Sequence, residues 1–84
     1  MAGKVAFITG AARGLGKEIA LALAAGGHRL YLIDVLAELL EGTAAELRAS
    51  GHEVIARTVD VSSRQQCFDA VADCAELFGE LAVL

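Results

Sequence analysis

Three glycines and one aspartate carry the clearest chemical signal in this 84-residue sequence. Gly10, Gly14 and Gly16 lie in the run Thr9-Gly10-Ala11-Ala12-Arg13-Gly14-Leu15-Gly16, and Asp34 follows Gly10 by 24 residues. Gly10 allows a tight turn, Gly14 lets an anion approach the backbone, and Gly16 lets a following helix pack closely. Amide groups at a helix start, with the positive end of the helix dipole, bind phosphate without a charged side chain. A carboxylate at Asp34 can accept hydrogen bonds from a ribose 2′-hydroxyl and would repel a 2′-phosphate. Together these features read as a dinucleotide site preferring NAD to NADP, a preference that Arg13 would soften. Plainer uses stand beside this reading: glycines after a strand also make a simple turn, and Asp34 can cap a helix.

The competing phosphate loop is the Walker A type, because Gly16-Lys17 resembles its ending. It fails at two positions. Its first glycine would fall at Ala11, and the residue after the lysine, which should be serine or threonine to hold magnesium, is Glu18.

A site of this kind needs strands that end together at one rim. Val5-Ala6-Phe7-Ile8 is a continuous apolar run, the pattern of a strand buried on both faces, and it closes at Thr9-Gly10. Leu15, Ile19, Ala20, Leu23 and Ala24 then recur at helical spacing up to Gly26-Gly27. Leu30-Tyr31-Leu32-Ile33 predicts a second strand stopping at Asp34. Leu36, Leu39, Leu40, Ala44 and Leu47 mark a second helix running to Ser50-Gly51, weakened at Gly42. Val54 to Val59 leads to Asp60 as a third strand, with Arg57 at a wetter position near a sheet edge. Ser62 or Ser63 caps a third helix whose apolar stripe is Cys67, Phe68, Val71, Cys74, Ala75 and Phe78, ended by Gly79. Leu81-Ala82-Val83-Leu84 begins a fourth strand.

This β-α-β-α-β-α-β order predicts an α/β doubly wound parallel sheet joined by right-handed crossovers. Gly27-His28-Arg29-Leu30 and Gly51-His52-Glu53-Val54 echo one another at the same helix-to-strand turn. Both histidines therefore read as solvated turn residues on the rim opposite the ligand rim.

Composition narrows the possibilities. At 56% hydrophobic, 21% charged and without proline, the chain is too apolar for disorder. It is shorter than the ~100–200 residues of an ordinary domain, so it is one small unit or a piece of one. Seven basic and eleven acidic residues give a formal charge of −4, with the bases scattered singly; this argues against nucleic-acid and anionic-membrane partners. Met1-Ala2-Gly3-Lys4 runs directly into a strand pattern and no apolar run spans a bilayer, which reads as a cytoplasmic protein. Cys67 and Cys74, seven apart on one helix, stand roughly 10 Å from each other, too far for a disulfide. They read as core thiols, and no metal site is expected.

The spacing Thr9-Gly10-x-x-x-Gly14-x-Gly16 resembles that of the short-chain dehydrogenases/reductases. Asp60-Val61 is similar to the family's adenine-contacting pair, and Phe78-Gly79-Glu80-Leu81 to the approach to its fourth strand. The resemblance covers the whole sequence. It implies the N-terminal half of a Rossmann-type sheet in the strand order 3-2-1-4, with residues 1–84 a dinucleotide-binding domain truncated at the fourth strand. Gly10, Ala12, Arg13, Leu15, Asp34, Asp60 and Val61 would line the adenosine and diphosphate half of the cofactor site, and Gly14 and Gly16 would shape it. Leu15 has an alternative as core, and Asp60 as a helix cap. Ala82 departs from the family, which often has aspartate there.

The resemblance also implies an NAD(P)-dependent oxidoreductase acting on an alcohol or carbonyl substrate, and a homo-oligomer when full length. The family's Asn-Asn-Ala-Gly segment, catalytic serine and Tyr-x-x-x-Lys pair are absent from the 84 residues, so this chain alone is expected to be inactive. Tyr31 has Val35 four residues on and lies in a strand, so it reads as a packing residue and not as a general acid. Three rivals stay open: a non-catalytic nucleotide-binding module, a methyltransferase- or flavin-type fold, and an inert fragment with a bare sheet edge.

Overall fold

A computed structural model describes residues 4–78 and 82–83. The elements are β1 (Val5–Thr9), α1 (Gly14–Ala25), β2 (Arg29–Asp34), α2 (Ala37–Ala49), β3 (Val54–Thr58), α3 (Arg64–Phe78) and β4 (Ala82–Val83). All pairings are parallel. β1 runs beside β2 from Val5 opposite Arg29 to Thr9 opposite Ile33, and β2 beside β3 from Leu30 opposite Val54 to Asp34 opposite Thr58. Ala82 and Val83 pair with Ala6 and Phe7. Gly79 and the approach to the fourth strand, residues 79–81, lie outside the described residues.

The apolar strands have no polar face because each face meets a helix layer. Ala6, Ile8, Leu30 and Leu32 join Ala20 and Ala24 of α1 and Leu40, Ala44 and Leu47 of α2 in one cluster. Val5, Phe7, Tyr31 and Ile33 alternate to the other face and pack on Ala70, Cys74 and Phe78 of α3. Period-two alternation thus divides one short strand between two cores, the signature of a doubly wound sheet.

The helical stripes differ from the expectation in detail. On α1 the inward ridge is Gly16, Ala20 and Ala24, spaced by four, and Leu15 is 77% exposed. Small residues win this face because the helix lies close to the loop before it; Leu15 thereby forgoes most of the roughly 2 kcal/mol that burying a leucine provides. Ile19, Leu36 and Leu39 also face outward, and Thr43 takes a buried place on α2. On α3 the core positions are Ala70, Cys74 and Phe78, with Cys67 and Val71 half-buried, whereas Phe68 and Ala75 are exposed. Apolar type alone over-counts the stripe; the helix presents only one side to the sheet.

Two further expectations are corrected. β3 stops at Thr58, two residues before Asp60, although Val59 remains buried. The histidines are half-buried, not fully solvated, and His28 Nδ1 lies 3.1 Å from the Leu23 carbonyl at the end of α1. That carbonyl already accepts the Gly26 and His28 amides, so the ring adds a third contact at the helix end.

Candidate functional site

The glycine run forms the link from β1 to α1. Gly10 and Gly14 have φ of 64° and 62°, the left-handed region that side chains disfavour. Gly16 answers a different need. A Cβ built there would lie 2.0 Å from the Gly10 carbonyl oxygen, so the backbone of α1 presses against the start of its own loop. The close approach is thus helix to glycine turn, more than helix to sheet. Arg13 precedes the helix in extended conformation and its side chain makes no capping bond; the first turn holds no acid. The amides and dipole at this end of α1 are therefore available to an anion.

Asp34 ends β2 directly beside this loop. Its Oδ2 accepts the Ala12 N–H at 3.0 Å, and its Oδ1 accepts the Leu36 N–H, also at 3.0 Å. The carboxylate is thus neither free nor the cap of α2, whose first position follows Leu36. It closes a turn after β2 and ties that turn to the glycine loop. A carboxylate offers about four acceptor sites, so two remain for hydroxyl donors, reached through a surface only 9% exposed. Ala11 N–H adds a bond to the Ile33 carbonyl at 3.3 Å.

Sequence reasoning missed Thr43. Its hydroxyl donates to the Ala12 carbonyl at 3.2 Å, with the Leu39 carbonyl at 3.3 Å. The available signal was a polar residue inside the apolar stripe from Leu40 to Leu47.

The third strand delivers Asp60 and Val61 to the same rim, because Val59 N–H donates to the Asp34 carbonyl at 3.0 Å. Asp60 is exposed and Val61 is 58% exposed. Asp60 does not cap α3; Ser63 does, its hydroxyl oxygen accepting the Gln66 N–H at 3.3 Å. Asp60 Oδ1 instead accepts the Ser62 hydroxyl and the Ser62 N–H, at 2.7 and 2.9 Å, and these bonds hold its carboxyl below the ordinary range. Gln66 Oε1 fastens the turn by accepting the Asp60 N–H at 2.8 Å. Gly10, Ala12, Arg13, Gly14, Leu15, Gly16, Asp34, Asp60 and Val61 thus lie at the carboxyl rim of three adjacent strands, on their ends, the loops that leave them and the first turn of α1, where ligands of such sheets bind.

Tyr31 lies away from this rim. Its ring is fully buried and stacked on Phe7, with centroids 5.2 Å apart, and its hydroxyl donates to Asp73. Burial, and then the bond to the Asp73 carboxylate, push the phenol well above its ordinary range, which makes it a poor proton donor. A cleft of about 500 Å³ opens there between β3 and α3, lined by Arg57, Thr58, Gln66 and Asp69 among others. Arg57 Nε and Asp73 Oδ2 are already paired across it at 3.2 Å, and no glycine-loop residue reaches it.

Known proteins share this arrangement. A short-chain dehydrogenase/reductase of the fungus Colletotrichum higginsianum is 38% identical over 84 residues, which is 100% of this chain and 31% of that protein. The crystal structure of a short-chain dehydrogenase/reductase from Burkholderia phymatum in complex with NAD superposes with a TM-score of 0.95 at 40% identity, covering 98% of this chain and 30% of the other. An alcohol dehydrogenase from Thermococcus sibiricus, complexed with 5-hydroxy-NADP, matches with a TM-score of 0.89 at 40% identity, over 95% of this chain and 35% of its own. The chain thus spans about a third of the length of these relatives. The pattern of the short chain dehydrogenases matches residues 4–84. With the glycine loop, the buried acid at the end of β2 and this match in agreement, the chain belongs to the short-chain dehydrogenase family.

Proposed function

We propose that this chain supplies the adenosine and diphosphate half of a nicotinamide-cofactor site in an oxidoreductase that moves hydride between the cofactor and an alcohol or carbonyl substrate. The observation that carries the reading is the Asp34 carboxylate, held under the glycine loop by the Ala12 amide at the rim where α1 begins uncapped. Bound nicotinamide would supply the hydride chemistry. The residues of this chain bind and orient: the amides at the start of α1 take the diphosphate, Asp34 takes the ribose hydroxyls, and Asp60 and Val61 flank the adenine. Gly10, Ala12, Arg13, Leu15 and the shaping glycines Gly14 and Gly16 complete the wall. Tyr31 takes no part, and we place proton transfer on residues outside these 84.

NAD is the preferred cofactor in this reading. A 2′-phosphate would meet the Asp34 carboxylate, a like charge in a place of reduced dielectric. Residues 1–84 belong to one dinucleotide-binding domain with the strand order 3-2-1-4, supported by the pairing of Ala82 and Val83 with β1.

Calorimetric titration of the chain with NAD and NADP tests the site. NAD should bind more tightly than NADP, and Asp34→Asn should narrow the gap about tenfold by removing the charge while keeping one acceptor for the Ala12 amide. A folded chain that binds neither dinucleotide, or an Asp34→Asn variant with an unchanged ratio, overturns the proposal.

A further inference from the structure

Asp34 and Thr43 are both buried, and both bind Ala12. Asp34 holds the Ala12 N–H and Thr43 holds the Ala12 carbonyl, so two consecutive peptide groups are clamped from β2 and from α2. Thr43 has an acceptor of its own one turn back, the Leu39 carbonyl. A helix-internal threonine is commonly satisfied by such a local bond alone. The hydroxyl has one proton for two carbonyls, so its bond to Ala12 is shared with the local one, and what it adds is a hold on the loop that a threonine in a helix does not need.

The effect follows from peptide geometry. No peptide bond among the described residues is cis, and in a planar trans peptide the N–H points opposite to the C=O. Holding the Ala12 carbonyl toward α2 turns the Arg13 N–H the other way, out from the buried side of the loop. Arg13 is the last residue before α1, so this bond sets the entry of the chain into the helix whose first amides have no side-chain cap.

We infer that Thr43 is a positioning residue of the glycine loop: its hydroxyl anchors the Ala12–Arg13 peptide from α2 and holds the loop in the shape that receives a diphosphate. This rests on the nucleotide-binding function proposed above. The gain is preorganisation, since a loop already ordered loses less entropy on binding.

The test compares the parent chain with Thr43→Val, Thr43→Ser and, as a packing control on the same helix, Leu47→Val. Amide hydrogen exchange in the ligand-free chain reads how firmly the loop is held, because the Ala12 N–H stays on Asp34 only while the loop keeps its shape. Thr43→Val should speed exchange at Ala12 about tenfold relative to β2 amides, and Thr43→Ser should restore it. NAD affinity should weaken about five- to tenfold in Thr43→Val, recover in Thr43→Ser, and stay within about twofold in Leu47→Val. Unchanged exchange at Ala12, no recovery with serine, or an equal loss of affinity in Leu47→Val overturns the assignment. A parent chain that does not bind NAD defeats the nucleotide reading, and with it the receiving role, whereas the exchange data still decide whether Thr43 holds the loop.

Discussion

The Asp34 carboxylate reaches from the end of β2 to the Ala12 amide of the glycine loop, 3.0 Å away and 22 residues earlier in the chain. A residue read first as a ribose acceptor is therefore also a strut. The same group can serve the proposed ribose site as well, because a carboxylate has acceptor sites to spare after two backbone amides are bound.

Stability should report the strut before any ligand is added. Asp34→Ala strands the buried Ala12 N–H and is expected to cost about 1–3 kcal/mol in urea unfolding. Asp34→Asn keeps an acceptor for the Ala12 amide but turns its NH2 toward the Leu36 N–H, so it should cost less than Asp34→Ala without matching the parent. Equal losses would show that the bond to the Ala12 amide is not what the carboxylate contributes.

Gly16 and Gly42 both lie in helices and should respond in opposite directions. A Cβ on Gly16 meets the Gly10 carbonyl at 2.0 Å, so Gly16→Ala must displace backbone, at a cost of about 3 kcal/mol. A Cβ on Gly42 meets nothing within 4 Å, and alanine is the better helix former by about 0.5–1 kcal/mol. Denaturant midpoints of the two variants should therefore fall on either side of the parent.

Alkaline titration isolates Tyr31, the only tyrosine in the sequence. Its phenol is raised by burial and by Asp73, whereas in the unfolded chain it titrates near about 10. The raised group contributes stability that is fully present below pH of about 10 and declines as pH rises from there toward the folded value, because the unfolded chain loses the proton first. Tyrosinate absorbance should appear only together with loss of helical circular dichroism. A phenolate signal near pH of about 10 in a chain that is still folded would refute the Tyr31–Asp73 bond. Tyr31→Phe should flatten the alkaline decline while retaining the stack on Phe7.

The parallel order of elements and the special glycines were legible because they are local properties. Runs of β-branched and leucine residues announce buried strands, and a glycine at positive φ has few substitutes. The rim position of Asp34 followed from its place at the end of a strand. What the pattern could not rank was inward-facing position. Leu15 and Phe68 are as apolar as any core residue, yet both lie at the surface, because the helix faces that meet the sheet belong to Ala20 and Ala24 on α1 and to Ala70, Cys74 and Phe78 on α3.

By itself the sequence determined the αβ alternation, the glycine loop and the acid that follows it, since each depends on backbone conformation and spacing along a few turns. Only the tertiary structure decided that Asp34 and Thr43 clamp one residue and that Tyr31 spends its hydroxyl on Asp73. The Asp34, Thr43 and Tyr31 bonds join residues 22, 31 and 42 positions apart, and their partners are chosen by how closely a helix settles on the sheet. That distance is set by the volumes of side chains from several elements at once, which no local pattern contains.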